Sequence, residues 1–235
     1  MRYWAPWLLV LGLLLQPAVA GAAVPVPAGF PTSGLTTYDV WRESSKVGTY
    51  SVDFLRDGDK LTVHTRIRID VSLLFITLYR FDHDSVEDWV DGKLMRFISR
   101  TDDNGTDHVA LLVRAGGVFR GQYDEEQLLL PGDIIPGTLW NPATVDQTRL
   151  IEPTKGQARA VTIFDRGMER LKVGSQMVQA HHYSITGALH REVWYGADGG
   201  VVQAIYEAKD DSLLTFKLRT VILAPPARPP GAAKP

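Results

Sequence analysis

The chain has no cysteine. That excludes disulfides, thiolate nucleophiles, cysteine-ligated zinc and a lipidated cysteine anchor, so the fold must rest on an apolar core alone. It also lacks charge of one dominant sign. With 25 Lys+Arg against 27 Asp+Glu and a formal net charge of −2, and no basic block longer than a pair, it carries no electrostatic footprint for nucleic acid. The apolar run Trp7–Leu15 (WLLVLGLLL) falls well short of the roughly 20 residues that cross a bilayer. No GxSxG, HExxH, GxGxxG or GxxxxGK[ST] pattern occurs, which removes the common hydrolase, zincin, dinucleotide and P-loop signatures. The sequence assigns no catalytic residue, no metal ligand set and no cofactor, and the expectation leans away from an enzyme.

What is present begins with a leader. Met1-Arg2, the short apolar run and the small-x-small site Ala18-Val19-Ala20 predict a secretory signal peptide over residues 1–20, hence export to the periplasm or beyond. Residues 21–34, rich in Pro, Gly and Ala, read as a flexible lead-in. Residues 224–235 (APPARPPGAAKP) read as a disordered proline-rich tail with polyproline II character. A single β domain is expected over 35–223, with no transmembrane span in the mature chain; the oligomeric state stays open.

The chain is organised around Leu61 to Phe81 (LTVHTRIRIDVSLLFITLYRF). From Leu61 to Val71 apolar residues fall on alternate positions, the pattern of a strand with one dry and one wet face. Leu73, Leu74, Phe75, Ile76, Leu78 and Tyr79 then put apolar groups on both faces. The reading is one long strand that bends or breaks at Val71-Ser72, its second apolar face needing a cover.

Around it run Thr37–Arg42, Val47–Leu55, Asp84–Val90, Lys93–Thr101, Asp107–Arg114 and Val118–Tyr123, and later Ala158–Arg166, Gln176–Thr186, Leu189–Tyr195, Val201–Ala208 and Leu213–Ile222. The turns between them, such as Asp91-Gly92 and Asn104-Gly105, accept positive φ. The fold class is therefore mainly β: a single curved antiparallel meander, an open or half-closed barrel. Glu125–Gly156 interrupts it with four prolines and many apolar residues. It predicts a flap lying on the sheet, with a short helix over Pro142–Gln147 capped by Asn141. Leu74, Ile76 and Leu78 are the expected surface beneath that flap.

Several pieces resemble a family of uncharacterised bacterial exported β-rich proteins, known only as a domain of unknown function. They are Tyr38-Asp39-Val40-Trp41-Arg42 with Gly48, Leu74 through Phe81 with His83, Trp89 with Gly92, Thr101-Asp102-Asp103-Asn104-Gly105, Pro136 with Trp140-Asn141-Pro142, and Glu192-Val193-Trp194-Tyr195 with Asp198-Gly199. Glu152-Pro153-Thr154-Lys155-Gly156 departs from the pattern, which has an Asp, a Gln-Thr pair and a Gly there. The resemblance brings no established activity with it. The meander also looks like the half-barrels of periplasmic lipoprotein carriers, a likeness of fold that implies an acyl chain held under a lid.

The expected function is to bind or carry an apolar or lipid-like ligand; the alternative is an interaction or structural module whose flap only completes the core. Ligand candidates are Leu74, Ile76 and Leu78 on the strand and Leu139, Trp140 and Asn141 on the flap. Polar candidates are His83, between Asp82 and Asp84; Asp102, Asp103 and Asn104, an oxygen-rich stretch that is also a hairpin turn; and His190, which shares a strand face with Glu192 and Trp194. His181 and His182, as strand neighbours, point apart.

Overall fold

The computed structural model describes residues 33–74, 76–208 and 210–223. The leader and the proline-rich tail lie outside the described residues, as does the lead-in before Ser33. Fifteen strands form one sheet: Gly34–Arg42 (β1), Ser45–Asp57 (β2), Lys60–Leu73 (β3), Ile76–Val90 (β4), Lys93–Asp103 (β5), Thr106–Ala115 (β6), Val118–Tyr123 (β7), Glu126–Pro131 (β8), Ile135–Pro136 (β9), Arg149–Ile151 (β10), Ala158–Val173 (β11), Gln176–Gly187 (β12), Arg191–Gly196 (β13), Val201–Glu207 (β14) and Leu213–Leu223 (β15).

Neighbours in sequence are neighbours in the sheet except β8 and β9, which lie at its opposite edges, and one pairing is out of sequence, where β1 lies between β2 and β15. Pairing is antiparallel except between β9 and β10. The order runs from β8 at one edge to β9 at the other, so the sheet is not closed into a barrel. Turn chemistry explains the hairpins. Asp91-Gly92 and Asn104-Gly105 each place two successive residues at positive φ (50° and 71°, 55° and 90°), the geometry whose twist matches paired strands.

Two expectations are corrected. Leu61 to Phe81 is not one strand but the two arms of the β3–β4 hairpin. The irregularity at Val71/Ser72 is present, yet the chain reverses just beyond it through Leu74, held at φ 48° without glycine or asparagine. Past the last ladder partners on β2 and β5 (Gly48↔Ile69 and Phe81↔Asp103), Asp70–Leu73 pairs with Ile76–Arg80 and projects as a two-stranded ribbon, with the Asn104 amide donating to the Arg80 carbonyl at its base. Leu74, Ile76 and Leu78 are not under the flap: Leu74 is 82% exposed, Ile76 65% and Leu78 56%. A ribbon tip has no neighbouring layer, so the loss of alternation marks the turn and not a second buried face. The excursion is also shorter than expected. Glu126–Pro131 is a regular edge strand with Leu128 and Leu130 inward and Leu129 outward.

The flap proper, residues 132–157, is packed. Ile134, Leu139, Trp140, Leu150 and Ile151 belong to the same continuous core as Phe54, Phe97, Leu112 and Phe119. The short helix is a 3-10 turn, Pro142–Asp146, with the Asn141 side chain accepting from the Ala143 amide as an N-cap.

Candidate functional site

Four consecutive residues fix the flap to the sheet through their polar atoms. Arg191 on β13 donates to the Gly137 carbonyl. The Tyr50 hydroxyl on β2 donates to the Thr138 carbonyl at 3.1 Å, and that of Tyr195 on β13 to the Leu139 carbonyl at 2.8 Å. Glu87 on β4 completes the set, accepting from Thr138 Oγ1 at 2.7 Å and from the Trp140 indole at 3.0 Å. Strands β4 and β13 are six positions apart in the sheet order, about 29 Å if flat at roughly 4.8 Å per strand. Both can reach one four-residue segment only because the sheet curls around it.

Glu87 is fully buried and also accepts from the Trp89 indole at 2.9 Å. Burial raises its carboxyl from 4.5 to about 7, and the bonds from Thr138, Trp140 and Trp89 act in the opposite sense. Phe54 and Trp89 each meet the Trp140 ring edge-on at 5.5 Å. The flap is thus held by one carboxylate, three side-chain donors to its carbonyls and an aromatic cluster.

Beside this anchor the concave face keeps a cavity of about 450 Å³. Its apolar walls are Ile67, Ile69, Val71, Phe81, Leu214 and Phe216, from β3, β4 and β15; its roof is Thr138 with Glu152 to Lys155 of the flap. Tyr50, His83, Arg191 and Tyr206 supply polar and aromatic groups deeper in. The lining extends to the end of the sheet that carries Arg42, Asp103, Ala208, Asp210 and Ser212, and takes in Val71 and Tyr79 of the ribbon. Such a volume, its exposed surface mostly apolar with polar and charged groups around it, suits a small ligand pocket.

The residues singled out from sequence divide sharply. His83 lines the cavity and is 1% exposed. Its Nδ1 pairs with Thr101 Oγ1 at 2.8 Å, and Nε2 has no partner among the described residues. Burial, with Arg68 and Arg191 adding to it against Asp84, lowers its imidazole from 6.5 to about 4. Asp82 and Asp84 point to the other face, where they pair with Arg80, Arg68 and Arg66. Asp103 also lines the cavity and accepts the Tyr79 hydroxyl at 2.8 Å.

Asp102 and Asn104 serve the turn instead: Asp102 accepts from the Gly105 amide at 2.7 Å, and Asn104 sits at φ 55°. His190 is exposed at the rim, 3.2 Å from Glu207. Leu139 and Trp140 are core, Asn141 is the helix cap, and none of the three lines the cavity. Leu74, Ile76 and Leu78 do not line it either.

Sequence reasoning missed Glu87, Tyr50, Tyr195 and Arg191. For Glu87 a signal existed: it shares strand parity with Trp89, so an inward Trp89 implies an inward carboxylate. For the others the signal is tertiary. On the outer face His182 is held between Glu169 (2.8 Å) and Glu192 (2.6 Å) and stacks on Trp194 at 4.1 Å. Ser184 donates to Glu192 and not to His182, so this cluster lacks the serine–histidine contact that nucleophilic catalysis requires.

An open, curled antiparallel sheet with a strapped flap and an internal cavity defines a β-barrel-like protein. The chain belongs to the family described as a domain of unknown function (DUF6134), which matches residues 38–219. A comparison with curated proteins gives no match. Among solved structures it is similar to the crystal structure of a β-barrel-like protein of domain of unknown function DUF1849 from Brucella abortus. The two share 13% identity with a TM-score of 0.60, over 82% of this chain and 98% of that one. At that identity the likeness shows the fold alone.

Proposed function

We propose that this is an exported cell-envelope protein that binds or carries a lipid-like molecule on the concave side of its sheet. The observation that carries the reading is the cavity of about 450 Å³, walled by Ile67, Ile69, Val71, Phe81, Leu214 and Phe216 and roofed by the flap. Export rests on the leader pattern at residues 1–20. On this reading the ligand lies against the inner faces of β3, β4 and β15, which line the cavity, in place of the ribbon tip.

The test is to express the precursor, recover the periplasmic fraction, sequence its N-terminus and extract the purified protein for lipid mass spectrometry. A chain beginning at Gly21 with a co-purified amphiphile, absent from an Ile67→Trp variant that fills the cavity, supports the proposal. A protein retained in the cytoplasm, or one empty in both forms, overturns it.

A second reading is favoured by a different observation: the flap's Leu139, Trp140, Leu150 and Ile151 are continuous with the main core. On that account the flap is a permanent part of an envelope interaction module. An empty wild-type protein that pulls down an envelope partner with the flap intact would favour it.

A further inference from the structure

We infer that the cavity takes an amphiphile with an anionic head, a carboxylate or a phosphate monoester, seated against Arg191 and His83. This rests on the ligand-binding reading above and names the chemistry of its ligand.

The charges around the cavity are matched with one exception. Arg42 pairs with Asp210 at 2.8 Å, Lys155 with Glu152 at 3.7 Å, and His108 with Asp124 at 2.8 Å. Of the remaining lining carboxylates, Glu207 lies 3.2 Å from His190 and Asp103 accepts from Tyr79. Arg191 is different. Its guanidinium donates to the Gly137 carbonyl and lies 4.4 Å over the Tyr206 ring, and among the described residues no carboxylate pairs with it. A guanidinium has five donors in a fixed fork, so one carbonyl leaves most of them unused.

His83 supplies the second half of the site. It is 1% exposed and its Nε2 has no partner among the described residues, an arrangement that is costly unless something completes it. When Thr101 donates to Nδ1, the ring proton resides on Nε2 and becomes a donor. The imidazole is neutral, because burial lowers it to about 4 and Arg191 adds to the effect. Arg191 therefore brings the charge and His83 a hydrogen bond, while the apolar walls take the chain. A planar fork and a neutral donor lining one cavity suit a carboxylate or phosphate better than a hydroxyl.

The test uses the mature protein and three probes of equal chain length: dodecanoate, dodecyl phosphate and dodecanol, with affinities read by calorimetry. Both anions should bind at least about tenfold more tightly than the alcohol, and the tighter of the two identifies the head as carboxylate or phosphate. Arg191→Gln keeps a donor for the Gly137 carbonyl; it should erase that margin, bringing both anions level with dodecanol measured on the same variant, and Arg191→Lys should restore part of it. A readout that needs no substitution is the His83 Nε2 resonance, which should move with dodecanoate and stay with dodecanol. Equal binding of all three overturns the anionic head and leaves ligand binding standing. Binding of none overturns both. A margin that survives in Arg191→Gln, or a silent His83, overturns the assignment to these two residues.

Discussion

The Trp140 indole nitrogen lies 3.0 Å from each oxygen of the Glu87 carboxylate, inside the core. One flap residue and one strand residue, distant in sequence, thereby share a buried charge-assisted bond.

Removing the indole should be expensive. Trp140→Ala deletes a buried ring wedged between Phe54 and Trp89 and takes a donor from Glu87; we expect a loss of about 3–5 kcal/mol in denaturant unfolding. Trp140→Phe keeps most of the ring and should lose about 1–3 kcal/mol, the cost of the vacated bond. A Trp140→Phe variant as stable as the wild type would show that the bond contributes nothing.

Glu87 and His83 should pull stability in opposite directions with pH. Glu87 rises to about 7 in the folded protein from 4.5, so between those values the folded state binds more protons than the unfolded one. Its contribution declines as pH rises through that window. His83 falls to about 4 from 6.5, so its contribution is complete above 6.5 and declines as pH drops toward 4. Each shift is worth on the order of 3 kcal/mol, and across pH 4.5–6.5 the two slopes cancel. Glu87→Gln should unmask the histidine and make stability fall as pH is lowered from 6.5 to 4. The wild-type minus variant difference isolates Glu87 from the surface carboxylates common to both. A difference that does not change between pH 4.5 and 7 contradicts the assignment.

Tyr195→Phe removes the donor to the Leu139 carbonyl and little else. It should lower stability by about 1 kcal/mol. Hydrogen exchange should speed up across residues 137–141 while strands β2 to β5 keep their protection. Loss spread evenly over the sheet would mean that the hydroxyl does not act through the flap.

The ribbon tip should tolerate polarity. Leu74→Ser, Ile76→Ser and Leu78→Ser each change an exposed side chain and should shift stability by no more than about 0.5 kcal/mol. A fall of several degrees in Tm for any one of them would place that residue under a cover.

Much of the meander was legible residue by residue. Val118–Tyr123 is predicted and observed with the same bounds, and Asn141-Pro142 announces the short helix because the cap and the fixed φ of proline are local properties. Misreadings occurred where local signals conflict with neighbours. The β3–β4 reversal uses Leu74 at positive φ, a residue no turn rule selects, and so a hairpin reads as one strand. The β8 strand is hidden by Pro131, which an edge strand tolerates and a central strand does not.

The candidate site divides the same way. Alternation along β4 is enough to send Asp82 and Asp84 one way and His83 and Glu87 the other, because successive strand side chains point to opposite faces. That much the chain determined by itself, along with its dependence on an apolar core in the absence of cysteine. Only the tertiary structure decided that Glu87 meets Trp140, that Tyr50, Tyr195 and Arg191 hold the flap, and that the cavity lies beneath residues 152–155 while the ribbon tip stands in solvent. The reason is physical: strand spacing is local, but which strands face one another across a concavity depends on how far the whole sheet curls.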